Sequence, residues 1–96
     1  MDTEQLVAQL MALAERGAPA DQVMKLKEEI VEKNVGLVIS IAKKFLHSGE
    51  PLEDLVQAGY IGLLNAVQNF DLNRGAKFST YATFLIQGEI RHFIRD

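Results

Sequence analysis

The chain has 96 residues, 48% of them hydrophobic and 24% charged, which is typical of one small globular domain. It has no cysteine, which excludes disulfides and thiolate metal sites and favours the cytoplasm. No apolar run approaches the roughly 20 residues of a membrane helix, and the N-terminus lacks the pattern of a signal peptide, so no contact with a membrane is expected.

The charge is distributed unevenly along the chain. The formal net charge is −3, yet residues 71–96 carry three acids and four bases, a net of +1. Affinity for phosphates depends on lysine and arginine. Any contact with nucleic acid is therefore predicted for the last quarter of the chain, with weak binding that a partner would strengthen.

Apolar residues at helical spacing predict a chain that is all helix. A first helix begins at its N-cap, Thr3, and ends at Arg16, before the break at Gly17-Ala18-Pro19. A second helix, capped by Asp21, continues to Phe45, and its second half is apolar nearly all round, which predicts a buried central helix.

Two further helices complete the predicted fold. Pro51 suits the first turn of a third helix that ends near Asn69, with Gly59 and Gly62 permitting close helix packing. A polar loop, residues 70–77, precedes a fourth helix. The predicted fold class is all-α, a compact helical bundle of about four helices.

The fourth helix has two faces. Ser79 or Thr80 is expected to cap it. Its predicted core face consists of Ala82, Leu85, Ile86, Glu89, Ile90, Phe93 and Ile94. A second stripe at helical spacing mixes cations with aromatic rings and consists of Lys77, Tyr81, Phe84, Gly88, Arg91 and Arg95.

The second stripe is typical of a surface that binds single-stranded nucleic acid. Bases stack on aromatic rings while phosphates pair with lysine and arginine. The simpler interpretation is core packing, which is the commoner role of an aromatic residue on a helix. Phe78 is assigned to the core on that ground, whereas Tyr81 and Phe84 lie off the apolar face.

The third helix also carries a second surface. Opposite its core face, helical spacing brings together Asp54, Gln57, Ala58, Ile61 and Leu64. Two interpretations remain open: a solvated face with a stray isoleucine, or a mixed surface that binds a partner helix.

Catalytic and metal-binding patterns are weak throughout the chain. The carboxylates are scattered over helix faces, and His47 and His92 lie far apart without ligand spacing. The segment from Gly59 to Gly62 lies inside a helical pattern, whereas a phosphate-binding loop follows a strand. No enzymatic activity, cofactor or metal is predicted.

Three blocks of sequence, Asn34–Phe45, Asp54–Leu63 and Phe70–Phe84, resemble domain 2 of bacterial RNA polymerase sigma factors. The resemblance covers residues 28–96 without a gap. The ending, Gly88–Asp96, is similar to the alternative branch of the family, which serves stress and sporulation.

The resemblance implies two binding surfaces. One would dock on the coiled coil of the β′ subunit of the RNA polymerase core, through Asp54, Gln57, Ala58, Tyr60, Ile61 and Leu64. The other would recognise and melt the promoter −10 element by capturing flipped bases of the single-stranded non-template strand. Its DNA-binding residues would be Asn34, Leu37, Phe70, Asp71, Arg74, Lys77, Ser79, Thr80, Tyr81, Phe84, Gln87 and Arg91. Within that set, Asn34, Leu37 and Ser79 would meet a second flipped base.

Four departures from the housekeeping pattern imply narrower promoter choice and weaker melting. Phe84 and Leu85 replace a tryptophan pair, and Gly36 replaces an arginine beside the second base. Ala58 replaces an acid on the docking face, and Gly88 replaces a glutamine that reads the upstream edge of the element.

The resemblance also implies a domain organisation, with an N-terminal helical extension over residues 1–27 and sigma domain 2 over residues 28–96. The chain has no −35-binding domain, as expected either of a piece of a longer sigma factor or of a standalone domain-2 protein. The competing hypothesis is a protein-interaction module of the same fold, a split-sigma subunit or the target of an anti-sigma factor, with little DNA binding of its own. An enzyme is the third choice.

Overall fold

A computed structural model describes residues 1–71 and 75–95. Within these ranges the chain forms five α-helices and a short 3-10 turn, with no strand, which confirms the predicted all-α bundle. The helices are α1 (Thr3–Glu15), α2 (Ala20–Lys33), α3 (Val35–Lys43), α4 (Leu52–Asn69) and α5 (Phe78–Arg95), and the 3-10 turn is Leu46–Ser48. None of the described helices is long and apolar enough to cross a membrane.

The predicted second helix is two helices, because Asn34 divides it. The Asn34 side chain donates a hydrogen bond from Nδ2 to the Ile30 carbonyl oxygen at 2.7 Å. In a continuous helix that carbonyl would accept the Asn34 N–H, which here donates to Val31 instead. Asparagine side chains compete with the helical ladder in this way, and α3 restarts after Asn34 as a separate helix.

The N-terminal caps also differ from the prediction. Asp2, not Thr3, is the N-cap of α1: its carboxylate accepts a hydrogen bond from the Gln5 N–H at 2.8 Å, and the Gln5 side chain accepts one from the Asp2 N–H at 3.0 Å. This reciprocal pair is a capping box. Pro19 occupies the cap position of α2, and Asp21 lies in its first turn, where a carboxylate favours the positive end of the helix.

The core is built around the contact between α4 and α5. Leu55 and Leu63 of α4 and Ile86 and Ile90 of α5 are fully buried. At Gly62 the two helices approach so closely that a Cβ atom would lie 2.5 Å from the Leu85 carbonyl oxygen. The prediction that glycine permits close packing of this helix agrees with that geometry.

The N-terminal helix packs on the body of the domain. Leu6, Val7 and Leu10 of α1 are buried in the same core as α2 to α5. The predicted boundary after residue 27 lies inside α2, which is one continuous helix from Ala20 to Lys33. The division of the chain at that residue stays a prediction.

Candidate functional site

The cation and aromatic stripe of α5 lies at the surface. Lys77 and Arg91 are exposed, Tyr81 is half-buried, and Phe84 is the most exposed of the large apolar side chains described, at 71%. Beside it, a shallow groove is lined by Ser79, Thr80, Thr83, Phe84 and Gln87. A base and a phosphate could therefore meet a ring, hydroxyls and a cation on one helix face.

Thr83 is a residue of this groove that the sequence did not single out. Its Oγ1 donates a hydrogen bond to the Ser79 carbonyl oxygen at 2.8 Å, which fixes the side chain against the helix. The signal was present in the sequence, because Thr83 stands four residues after Ser79 and four before Gln87.

Tyr81 rests on a cluster of aromatic rings. Its ring centroid lies 5.7 Å from that of Phe70, at a tilt of 47°. Phe70 in turn meets Phe78 edge to face, with centroids 5.4 Å apart. Such aromatic pairs favour offset and edge-to-face geometries, so the cluster fixes the plane of the Tyr81 ring while leaving part of its surface accessible.

Phe70 itself belongs to the core. It was predicted as a DNA contact, but its side chain is buried, as is that of Phe78, which the sequence assigned to the core. In the structure Phe70 supports the Tyr81 ring, and its role as a DNA contact stays a prediction.

The three residues predicted to meet a second flipped base are not equally accessible. Asn34 is only 6% exposed, and its Nδ2 donates to Thr3 Oγ1 at 3.2 Å as well as to Ile30. Leu37 is half-buried, and Ser79 is exposed. The Asn34 side chain is covered by α1 and both of its amide hydrogens have acceptors, and its contact with a second flipped base stays a prediction.

The entry loop of α5 is described in part. Asp71 is half-buried, and Lys77 is exposed, with its carbonyl oxygen accepting the Tyr81 N–H at 3.1 Å. Arg74, another predicted DNA contact, lies outside the described residues. Gly75 has a φ of 78°, a left-handed conformation that glycine adopts without steric cost.

Arg91 is held over an aromatic ring at the other end of the face. Its guanidinium carbon lies 5.7 Å from the centroid of the Phe45 ring, within the range of a cation–π contact. Phe45 stacks on His47, with centroids 6.2 Å apart. Together with Arg95, these side chains line a groove between the end of α3 and the end of α5.

The predicted docking surface forms a ridge along α4. Ile61, Tyr60 and Leu64 are exposed apolar or aromatic side chains, Gln57 is exposed and Asp54 is half-buried. Ala58 is buried, because it faces α5 at the floor of a groove. Its role as a docking contact stays a prediction, and the other five predicted docking residues are at least partly exposed.

Two grooves flank this ridge, and other helices complete them. On one side, α5 contributes Glu89, His92 and Phe93 beside Asp54 and Ile61. On the other side, α2 contributes Met24 and Val31 beside Tyr60 and Leu64. No local signal could have revealed these neighbours, since they are distant in sequence.

Phe93 was predicted in the core face of α5, but the structure leaves its ring exposed beside Ile61. Phe93 lies three residues beyond Ile90, the last buried residue of α5, so the core ends before it. Among the residues that the structure describes, no three side chains that could bind a metal ion come together.

The known proteins to which this chain is similar are sigma factors. The family model for sigma-70 region 2 matches residues 30–96. The chain is similar to the RNA polymerase sigma-G factor of Bacillus subtilis (strain 168), with 47% identity over 70 residues, which covers 73% of this chain and 27% of that protein. It is 46% identical over 84 residues to the RNA polymerase sigma-F factor of Priestia megaterium, covering 88% of this chain and 32% of that protein. The matched segment spans less than one third of each of these relatives.

Proposed function

Because this chain belongs to the sigma-70 region 2 family, we propose that it docks on the RNA polymerase core and recognises the promoter −10 element by holding flipped bases of the non-template strand. The observation that carries the proposal is the accessible stripe of α5, in which Tyr81 and Phe84 lie between Lys77 and Arg91. The proposal requires no cofactor and no covalent step.

The energetics of base capture suit this surface. Flipping a base out of the duplex costs a few kcal/mol, and stacking on an aromatic ring returns about 1–3 kcal/mol per base. Tyr81 would therefore roughly offset the cost of opening. Hydrogen bonds from neighbouring groups, such as the exposed hydroxyls of Ser79 and Thr80, would then decide which base is accepted.

The second half of the proposal is docking through α4. Tyr60, Ile61 and Leu64 form a contiguous apolar ridge with the polar Gln57 and Asp54 along its side. A ridge of this composition is suited to an interface with another helix. We propose the coiled coil of the β′ subunit as that partner, and docking would bring the acidic chain to promoter DNA that it binds weakly alone.

The proposed function is tested with randomised single-stranded oligonucleotides, selected on the chain in the presence of the β′ coiled coil. We expect one sequence to be enriched, and fluorescence anisotropy to show tighter binding of that sequence than of its scrambled form. We also expect the coiled coil to strengthen binding. If the chain binds the coiled coil but enriches no sequence, the protein-interaction module of the same fold is the better description.

Docking is tested by replacing Ile61 with serine. Ile61 is 51% exposed, so the change leaves the fold intact but removes apolar surface that an interface would bury. Full burial of an isoleucine side chain contributes about 1.5–3 kcal/mol, and an interface can gain about half of that from a half-exposed one. We therefore expect affinity for the coiled coil to fall about 4- to 12-fold. Isothermal titration calorimetry measures the loss.

Met24→Ser is the matched control, because Met24 is an apolar side chain of nearly the same exposure, 52%, on α2. We expect it to leave coiled-coil affinity within about twofold. An equal loss from both variants would place the docking site in the groove between α2 and α4 instead of on the ridge.

A further inference from the structure

The N-terminal helix reaches across the bundle to the start of α5. Glu4, in the first turn of α1, accepts two backbone hydrogen bonds: Oε1 from the Phe78 N–H at 2.9 Å and Oε2 from the Ser79 N–H at 3.1 Å. The partners are 74 and 75 positions apart in sequence. One carboxylate thus joins the first helix to the start of the last helix.

The residue before α5 offers no side-chain acceptor to the first N–H groups of that helix. The first N–H groups of a helix have no partner within it. Lys77 occupies the position before the helix, since its carbonyl accepts the Tyr81 N–H, and a lysine side chain has no acceptor. Ser79 and Thr80, the caps expected from the sequence, lie inside the first turn. Glu4 supplies the missing acceptors from another helix.

The position of Glu4 is itself fixed. The buried side chains of Leu6, Val7 and Leu10 hold α1 on the bundle, and Thr3 accepts a hydrogen bond from Asn34. The Asp2–Gln5 capping box fixes the turn that carries Glu4. A carboxylate on such a rigid element is suited to holding another element in place.

We propose that Glu4 is a positioning residue for promoter recognition, which rests on the function proposed above. The turn of α5 that it caps carries Ser79, Thr80 and Tyr81. Loss of a cap lowers the equilibrium constant between the ordered and the frayed first turn by about fivefold. Repulsion between the carboxylate and a DNA phosphate about 10 Å away changes affinity by less than about twofold in salt. The effect of Glu4 on the order of the first turn is therefore larger than the effect of its charge on DNA affinity. Glu4 favours DNA binding although it is acidic.

The test compares Glu4→Ala with Glu4→Gln and Glu15→Ala. Glutamine keeps one acceptor oxygen without the charge. Glu15→Ala removes the same charge from an exposed position in the last turn of the same helix. The oligonucleotide enriched by selection is measured by anisotropy, the β′ coiled coil by calorimetry, and the amides of Phe78 and Ser79 by hydrogen exchange.

For Glu4→Ala we expect oligonucleotide affinity to fall by up to about fivefold, faster exchange at both amides and unchanged affinity for the coiled coil. The oligonucleotide affinity of Glu4→Gln is expected to lie between that of Glu4→Ala and that of the unchanged protein. The affinity of Glu15→Ala is expected within about twofold of that of the unchanged protein.

Three results would overturn the proposal. Tighter DNA binding by Glu4→Ala would show that the carboxylate shields the site, and unchanged binding would show that the cap has no role in it. An equal loss of coiled-coil affinity would show a general structural defect. If the unchanged protein binds no oligonucleotide, the proposed function fails, while amide exchange still decides whether Glu4 holds the first turn.

Discussion

Replacing Gly62 with alanine is expected to lower the free energy of unfolding by about 2 kcal/mol. The added Cβ would lie 2.5 Å from the Leu85 carbonyl oxygen and 2.7 Å from Ile86 Cα. Both obstacles are backbone atoms, so no change of rotamer relieves them and α4 and α5 must move apart. Overpacking costs up to about 3 kcal/mol, of which the better helix propensity of alanine returns about 1 kcal/mol.

Gly88→Ala is the matched control, because it is the same chemical change inside a helix where a Cβ would meet nothing within 4 Å. It is expected to raise the free energy of unfolding by about 0.5–1 kcal/mol. Thermal unfolding followed by circular dichroism should place the Tm of Gly62→Ala lower by roughly 8–16 °C. Equal stability of the two variants would show that α4 and α5 can separate without cost.

The close approach of α4 and α5 could be predicted because glycine in a helix interior is costly unless something needs the space. The division of the helix at Asn34 could not be predicted, because the apolar period continues through that residue. The hydrogen bond from the Asn34 side chain to Ile30 replaces a helical one, and periodicity does not show it. Asp2 and Gln5 do carry a capping-box signal, three residues apart.

The candidate site could be predicted where one helix supplies it. The stripe of Tyr81, Phe84 and Arg91 follows from helical spacing alone, as does the ridge around Ile61. Contacts between distant segments could not be predicted, and the bond from Glu4 to the start of α5 is the extreme case. Because these hydrogen bonds join residues more than 70 positions apart, the local sequence pattern does not show them, and it pointed to Ser79 or Thr80 as the cap.

Resemblance to a family identifies which positions of this chain match the family's binding residues, but it does not show whether their side chains are exposed. Asn34, Phe70 and Ala58 were each assigned to a binding surface, and each is buried here. Their neighbours explain why: α1 covers Asn34, Phe78 packs on Phe70, and α5 faces Ala58. The contacts of these three residues with a partner stay predictions.

Replacing Tyr81 with alanine is expected to weaken binding of the enriched −10 strand by about 5- to 150-fold, the worth of one stacked base, and to abolish the preference over its scrambled form. The ring lies at the surface on a support of Phe70, so its removal takes away the platform on which a flipped base would stack. Fluorescence anisotropy with both oligonucleotides measures affinity and preference together.

Two further variants test whether the flipped base stacks on Tyr81 or on Phe84. Tyr81→Phe keeps the ring and loses only the hydroxyl, whose hydrogen bond contributes about 0.5–1.5 kcal/mol, so most of the preference should remain. Phe84→Ala removes a ring that is more exposed on the same face. Loss of preference in Phe84→Ala, with preference kept in Tyr81→Ala, would place the pocket at Phe84 and contradict the assignment.

The ratio of the two affinities is the decisive quantity, because Tyr81 also packs against the core and its loss destabilises the domain. Partial unfolding reduces the apparent affinity for every ligand by the fraction of chain that is competent to bind. That factor is the same for the enriched and the scrambled strand and cancels in their ratio. A fall in the ratio therefore reports the recognition of a base, whereas an equal fall in both affinities would report stability alone.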